Sequence, residues 1–284
     1  MIADFIAGWP LFHTAWLTGW LLAALLALGG VLVVARDQIF IGAAVSQASV
    51  LGLALALRTG DLLGPDGPPW LRDDGFLAAM AVLSSALAAL LTTRRGDDEG
   101  RSPESLTGWV WLLASSVAVL AVAHSPHGLE EVHRILSSSI VGATDRDVDV
   151  FTALLIGSAA VAAVAHRRLL LLAIDPVMAA AVGVRVGRWT LALSCWLGIV
   201  AGLAIRCAGV LFTFGCLVLP ALVARHLCRE VRPMLVVAPL VGLGAAGAGF
   251  VLAHHWDYPP AQMAVALLCG LAAVTAPVPA LRRG

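Results

Sequence analysis

Long apolar runs separated by short polar stretches extend along the whole chain. Nine windows are each close to the ~20 residues that a bilayer-spanning helix needs. They lie at about 11–35, 39–57, 75–93, 106–124, 150–166, 189–206, 210–228, 234–253 and 259–281. Because the windows 39–57 and 150–166 are short and weakly apolar, eight and nine spans are equally defensible. The pattern predicts an all-α fold, a polytopic membrane bundle of eight or nine transmembrane helices.

The polar gaps between the windows are short. The longest lie at about 58–74, 94–105 and 124–149. Each is below the ~40 residues at which a soluble domain stops folding unaided. We therefore expect one transmembrane domain over residues 1–284.

Arginine placement predicts the orientation of the helices. All 18 basic residues are arginine, and with nine crossings and an outer N-terminus 13 of them lie on the inner side. The inner set is Arg36, Arg94, Arg95, Arg101, Arg167, Arg168, Arg185, Arg188, Arg225, Arg229, Arg232, Arg282 and Arg283. Cytoplasmic loops of membrane proteins carry such an excess of positive charge. The arginines therefore favour an outer N-terminus.

Composition excludes several classes of protein. The chain is 60% hydrophobic and 13% charged, with a mean hydropathy of +0.91, whereas soluble domains are ~25% charged. A net charge of zero gives no basic footprint for nucleic acid. Without lysine the chain has no Walker A loop and cannot itself be a P-loop ATPase. The five cysteines indicate core residues rather than a metal site, and the start lacks the positive region of a cleavable signal.

A short capped helix is predicted after residue 174. Asp175 is a good N-cap, Pro176 suits the first helical position, and Gly183 suits a left-handed C-terminal stop. Arg185 follows on the predicted inner side. Such a helix could dock a soluble partner, or it could be an interfacial connector.

Histidine and carboxylate side chains collect on the predicted outer side, and together they suit zinc, manganese or iron(II). Both groups could equally be solvated polar loops. One group is His124, His127, Glu130, Glu131 and His133; the other is His254, His255 and Asp257.

Within the predicted spans, no acid or base stands out. Ionisable groups inside a membrane usually mark ion pathways, so their scarcity argues against a proton- or sodium-coupled carrier. Ser46, Gln47 and Ser49 are the densest polar cluster. Energy for transport would then come from elsewhere.

Small residues recur at helical spacing. Ala44, Ala48 and Gly52 are four residues apart, and Gly198 and Gly202 form a Gly-x-x-x-Gly pair. Small residues permit close approach of helices in a membrane. We expect helix contacts at these positions.

Three motifs, in order along residues 10–280, resemble the permease subunit of ABC importers for zinc, manganese and iron. The first is RDQIFIGAAVSQASVLG at 36–52. The second is DPVMAAAVG at 175–183, similar to the coupling helix that binds the ATPase subunit in this family. The third is AGVLFTFGCLVLPALVAR at 208–225.

The resemblance implies a homodimeric, multi-pass permease of the bacterial inner membrane, surrounded by lipid. It implies inward transport of a divalent metal ion as substrate, without a tightly bound cofactor and without enzymatic activity in this chain. An extracytoplasmic metal-binding protein would deliver the ion, and a separate ABC ATPase would drive transport through Asp175, Pro176, Gly183 and Arg185.

The chain departs from this family along the expected translocation path. Where the family commonly has an aspartate and, four residues on, a histidine, this chain has Ala43 and Gln47. Metal would then pass by weaker contacts with Ser46 and Gln47, or the outer histidines would bind it, or the cargo would differ. The alternatives are a permease for a chelated or small organic cargo and, less favoured, an intramembrane metalloenzyme.

Overall fold

The structure, a computed structural model, describes residues 2–63, 68–94, 103–123 and 140–277. Within these ranges it contains nine α-helices, two short 3-10 helices (Pro69–Arg72 and Ile140–Gly142) and no strand. The α-helices are α1 Ile2–Ala35, α2 Ile39–Leu62, α3 Asp74–Arg94, α4 Pro103–Val122, α5 Asp145–Ile174, α6 Pro176–Ala181, α7 Val186–Leu227, α8 Val231–Trp256 and α9 Pro260–Thr275. The all-α prediction is confirmed.

Seven of the helices in the described ranges, α1 to α5, α7 and α8, are long and apolar enough to cross a membrane. Helix α7 has 42 residues and contains two of the nine predicted windows. At 1.5 Å per residue it would measure about 63 Å if straight, twice the ~30 Å hydrocarbon core. The last window corresponds to α9, which has 16 residues.

The two windows that look weakest in sequence are full-length helices. Helix α2 has 24 residues and α5 has 30. Their apolar windows are shorter because Arg58, Arg167 and Arg168 interrupt them near one end. The backbone continues as helix through these charges, since charged side chains near a helix end can reach the polar interface.

The described helices fall into two compact units. The first unit comprises Met1–Asp37, Ser139–Val186 and Leu211–Gly284, and the second comprises Gln38–Ser138 and Gly187–Val210. The prediction of one domain over residues 1–284 stays a prediction.

In the second unit, α2 packs against α3 and α4 through small side chains. Ala44 and Ala48 share an apolar cluster with Ala88 and Ala114. Gly52 approaches the backbone of α3 so closely that a methyl group there would collide with the Met80 carbonyl. The predicted helix contact along this line of α2 is confirmed.

The first half of α7 packs on α3 in the same unit. A methyl group on Gly198 or Gly202 would meet the α3 backbone at Ala86 or Val82. The Ser85 hydroxyl donates a hydrogen bond to the Gly198 carbonyl oxygen at 2.6 Å. The Gly-x-x-x-Gly pair therefore brings two helices together, as predicted.

In the first unit, α1 packs against α5 and α8, and α8 packs against α9. Glycines again mark the closest approaches, with Gly30 of α1 against the Leu217 backbone of α7 and Gly249 of α8 against Ala264 of α9. Without a hydrophobic drive between helices in lipid, this close packing is what holds the bundle together.

Helix α7 is broken at Gly209, one residue before the end of the second unit. Gly209 has φ 79° and ψ 170°, a backbone conformation that is essentially restricted to glycine. The break divides the 42 residues of α7 into two shorter helical segments, one before Gly209 and one after it.

We expect Gly209→Ala to destabilise the protein by about 1–3 kcal/mol, since alanine pays the strain of this conformation. Gly187→Ala is the matched control, because Gly187 lies in the same helix with open space around it and without a positive φ. Thermal unfolding in detergent measures both. Equal midpoints for the two variants would contradict the expectation.

Candidate functional site

Helix α6 is a six-residue element capped at both ends. The Asp175 carboxylate accepts a hydrogen bond from the Met178 backbone N–H at 2.9 Å, and Pro176 occupies the first turn. At the other end Gly183 has φ 84°, and its N–H and that of Val184 donate to the carbonyls of Ala180 and Ala179. This pairing is a Schellman motif, which ends a helix sharply. The predicted local structure is confirmed.

The side of α6 that faces away from the rest of its unit is apolar and exposed. Val177 is 79% exposed, Met178 53% and Val182 62%. Ala179, in contrast, is fully buried and packs against the rest of the first unit. Arg185 is exposed just beyond it. Apolar side chains exposed together on a short capped helix are typical of a protein contact surface.

The predicted path residues lie on α2, in the second unit. Ala43 and Gln47 are half-buried and one helical turn apart, on a line that continues through Leu51. Ala43 and Gln47 are not members of the buried cluster of Ala44 and Ala48, although Leu51 packs against that cluster. Ser46, in contrast, is buried. At these two positions α2 therefore offers an amide and a methyl group.

The second predicted metal group lies at the end of α8. The His254 ring is surrounded by the rings of Phe5, Phe12 and Trp16, with centroid separations of 6.2, 6.0 and 5.7 Å. His255 is exposed, and Asp257 follows the helix with φ 56°. Consecutive helical side chains point about 100° apart. His254 therefore faces an aromatic cluster, while His255 faces away from it.

The other predicted metal residues, His124, His127, Glu130, Glu131 and His133, lie outside the described residues. Within the part of the chain that the structure describes, no three His, Cys, Asp or Glu side chains are grouped to hold a metal ion. A role for either outer group in ion capture stays a prediction.

An ion pair joins two of the sequence motifs at one end of the first unit. Arg225 Nη1 donates to Asp37 Oδ1 at 2.8 Å. With the side chains 51% and 75% exposed, the pair contributes at most ~1 kcal/mol. Sequence reasoning missed it, although opposite charges at the predicted inner ends of both motifs were a signal. Beside it, burial lowers the pKa of the Arg36 guanidinium, which stays protonated at neutral pH.

Comparison with known sequences agrees with this architecture. A family model described as the ABC 3 transport family matches residues 9–277. The manganese import system permease protein ScaB of Streptococcus gordonii is 23% identical, over 90% of this chain and 88% of that protein. A probable metal transport system membrane protein of Thermotoga maritima is 24% identical, over 89% of this chain and 84% of its own length.

Solved structures share the fold. PsaBC from Streptococcus pneumoniae, in complex with Fab, has a TM-score of 0.78 at 20% identity and covers 97% of this chain and 95% of that chain. An inward-facing putative metal-chelate type ABC transporter has a TM-score of 0.70 at 19% identity, over 93% and 85%. With seven apolar spans in its described residues and a family match over nearly its whole length, the chain is a multi-pass inner-membrane protein that belongs to the ABC 3 transport family.

Proposed function

We propose that this chain is the permease subunit of an ABC importer that moves a divalent metal ion inward, with manganese the first candidate and zinc and iron the others. Membership of the ABC 3 transport family supports the transport role. Manganese is favoured because relatives that match most of the chain are named manganese import permeases.

The observation that carries the proposal is the exposed apolar surface of α6. A separate ATPase is required because the chain has no phosphate-binding loop. Val177, Met178 and Val182 offer such a subunit an anchor, and the caps at Asp175 and Gly183 hold that anchor rigid. A rigid element transmits the movement of an ATPase better than a flexible loop does. We assign the coupling of the permease to the ATPase to Asp175, Pro176, Gly183 and Arg185.

Two further partners belong to the proposal. A homodimer would form the translocation path between two copies of the chain. An extracytoplasmic binding protein would deliver the cargo to the outer side, where the histidines cluster in sequence.

The proposal is tested by co-purification with a co-expressed cognate ABC ATPase. We expect a stable complex with the wild-type protein. Failure of the two to associate, with both folded, would contradict it.

A second candidate cargo is a metal chelate, which the composition of the α2 path favours. Ala43 has no donor atom and Gln47 offers only a neutral amide, so the pair holds a bare divalent cation weakly. A neutral, partly apolar path suits a ligand that already surrounds its metal. Uptake of free manganese against uptake of a manganese chelate separates the two cargoes.

The double variant Ala43→Asp, Gln47→His tests whether these positions line the path. A carboxylate and an imidazole one helical turn apart form a two-ligand metal site. We expect the variant to retain manganese in detergent at concentrations where the wild type retains none. Ala44→Asp, Ala48→His is the matched control on the packed face, and equal retention by both variants would contradict the assignment.

The outer histidines can be tested separately. Replacing His124, His127 and His133 together by alanine is expected to weaken uptake when metal is limiting but not when it is in excess. A capture site matters only while it is not saturated. Unchanged uptake at both concentrations would remove these residues from the proposal.

A further inference from the structure

A groove in the first unit has no part in the proposed transport path. It measures about 640 Å³, within the ~300–1,000 Å³ typical of ligand pockets. Helix α5 provides one wall, α8 the other, and Leu28 of α1 the floor. Because α5 packs mainly on α1 and hardly touches α8, the space between α5 and α8 stays open.

The walls of the groove are mainly apolar, and the wall formed by α5 carries mainly small side chains. Ala159, Ala162 and Ala163 repeat at helical spacing on α5, and Leu235 and Val236 face them from α8. Small side chains on one wall, and the absence of Phe, Tyr and Trp from the described lining residues, leave an apolar space between the helices. Such a space fits a hydrocarbon chain.

Positive charge lies at one end of the groove. Arg232 is the second residue of α8 and lines the groove, and none of the described residues forms an ion pair with it. On α5 the groove ends at His166, whose Nδ1 donates to the Ala163 carbonyl at 2.8 Å and so fixes the ring as part of the wall. Arg167 and Arg168 are exposed beside it. Of the described residues that line the groove, none is acidic.

Along the helices, the charged and apolar groups of the groove lie in the same order as the phosphate and the acyl chains of a phospholipid in the inner leaflet. Arg232 and Arg167 lie on the side where the arginine bias predicts the cytoplasm. From Arg232 to Val236 the helix rises about 6 Å, and from His166 to Ala159 about 10 Å, in both cases away from the charges and into the apolar part of the span. A phosphate would meet Arg232, and an acyl chain would follow the alanines.

We propose that this groove binds an anionic phospholipid of the inner leaflet, with its phosphate on Arg232 and an acyl chain between α5 and α8. A second copy of the chain is disfavoured as the occupant, since a twofold contact centred on the groove would bring two Arg232 guanidiniums together. The proposal does not depend on the identity of the cargo.

Native mass spectrometry of the delipidated protein tests the proposal, with phosphatidylglycerol, phosphatidylcholine and inorganic phosphate as separate additions. We expect phosphatidylglycerol to remain bound and phosphatidylcholine to bind more weakly. Arg232→Gln should reduce phosphatidylglycerol binding about fivefold, since one interfacial arginine contributes about that factor. Arg229→Gln, an exposed arginine outside the groove, is the matched control and should leave binding unchanged.

A second variant tests the apolar part. Ala162→Phe should fill the groove and displace the lipid without changing the oligomeric state. Equal binding of the two lipids, an unaffected Arg232→Gln variant, or competition by inorganic phosphate alone would overturn the proposal. A change of oligomeric state in Ala162→Phe, with lipid binding retained, would assign the groove to a second copy instead.

Discussion

Gly30→Ala is expected to be among the most destabilising single methyl additions to this chain. Gly30 of α1 lies against the backbone of α7, and a Cβ atom there would overlap the Leu217 carbonyl oxygen. A backbone atom cannot move aside as a flexible side chain can, so α1 and α7 must separate. Overpacking of this kind costs about 1–3 kcal/mol, sometimes more. Thermal unfolding in detergent measures the loss.

Gly244→Ala is the matched control for that experiment. Gly244 also lies inside a long apolar helix, but the space around its Cβ position is open. Alanine is favoured over glycine in a helix by about 1 kcal/mol. The control should therefore be neutral or stabilising. A Gly30→Ala protein as stable as the control would show that α1 and α7 do not pack as described.

The double variant Val177→Asp, Met178→Asp is expected to abolish ATP-driven uptake while leaving the permease folded. Both side chains are exposed, so their replacement should change stability by no more than about 0.5 kcal/mol. In a complex with an ATPase, the two carboxylates would lie in an apolar contact without partners. Loss of two anchors at the centre of an interface weakens association by at least about tenfold. Uptake and co-purification report the effect.

Arg229→Glu serves as the control, because it also makes the net charge more negative by two and is exposed on the predicted inner side. We expect uptake close to that of the wild type. If both variants lose uptake equally, the effect follows from surface charge rather than from α6.

Much of the fold is predictable from the sequence because lipid imposes simple rules. Every spanning segment must satisfy its own backbone, so apolar windows translate directly into helices. The caps of α6 are equally local, since Asp175, Pro176 and Gly183 specify the start and the end of one short helix. Small residues at helical spacing, as at Gly198 and Gly202, indicate the faces that touch.

What the sequence does not reveal depends on which helices are neighbours. The ion pair of Arg225 with Asp37 joins residues 188 positions apart. The aromatic rings around His254 come from α1, far away in sequence. The groove at Arg232 is open because α5 and α8 both pack on α1 and hardly touch each other. Hydropathy windows assign residues to helices, but they do not say which side chain from another helix will lie beside them.

ATP-dependent manganese accumulation in proteoliposomes tests the central claim most directly. Vesicles would contain this chain together with a cognate ABC ATPase, a cognate binding protein would be added on the cargo side, and manganese would be supplied free and as a chelate. The account predicts accumulation that requires ATP and an intact α6. Accumulation without ATP, or equal ATP-driven accumulation by the Val177→Asp, Met178→Asp variant, would contradict it.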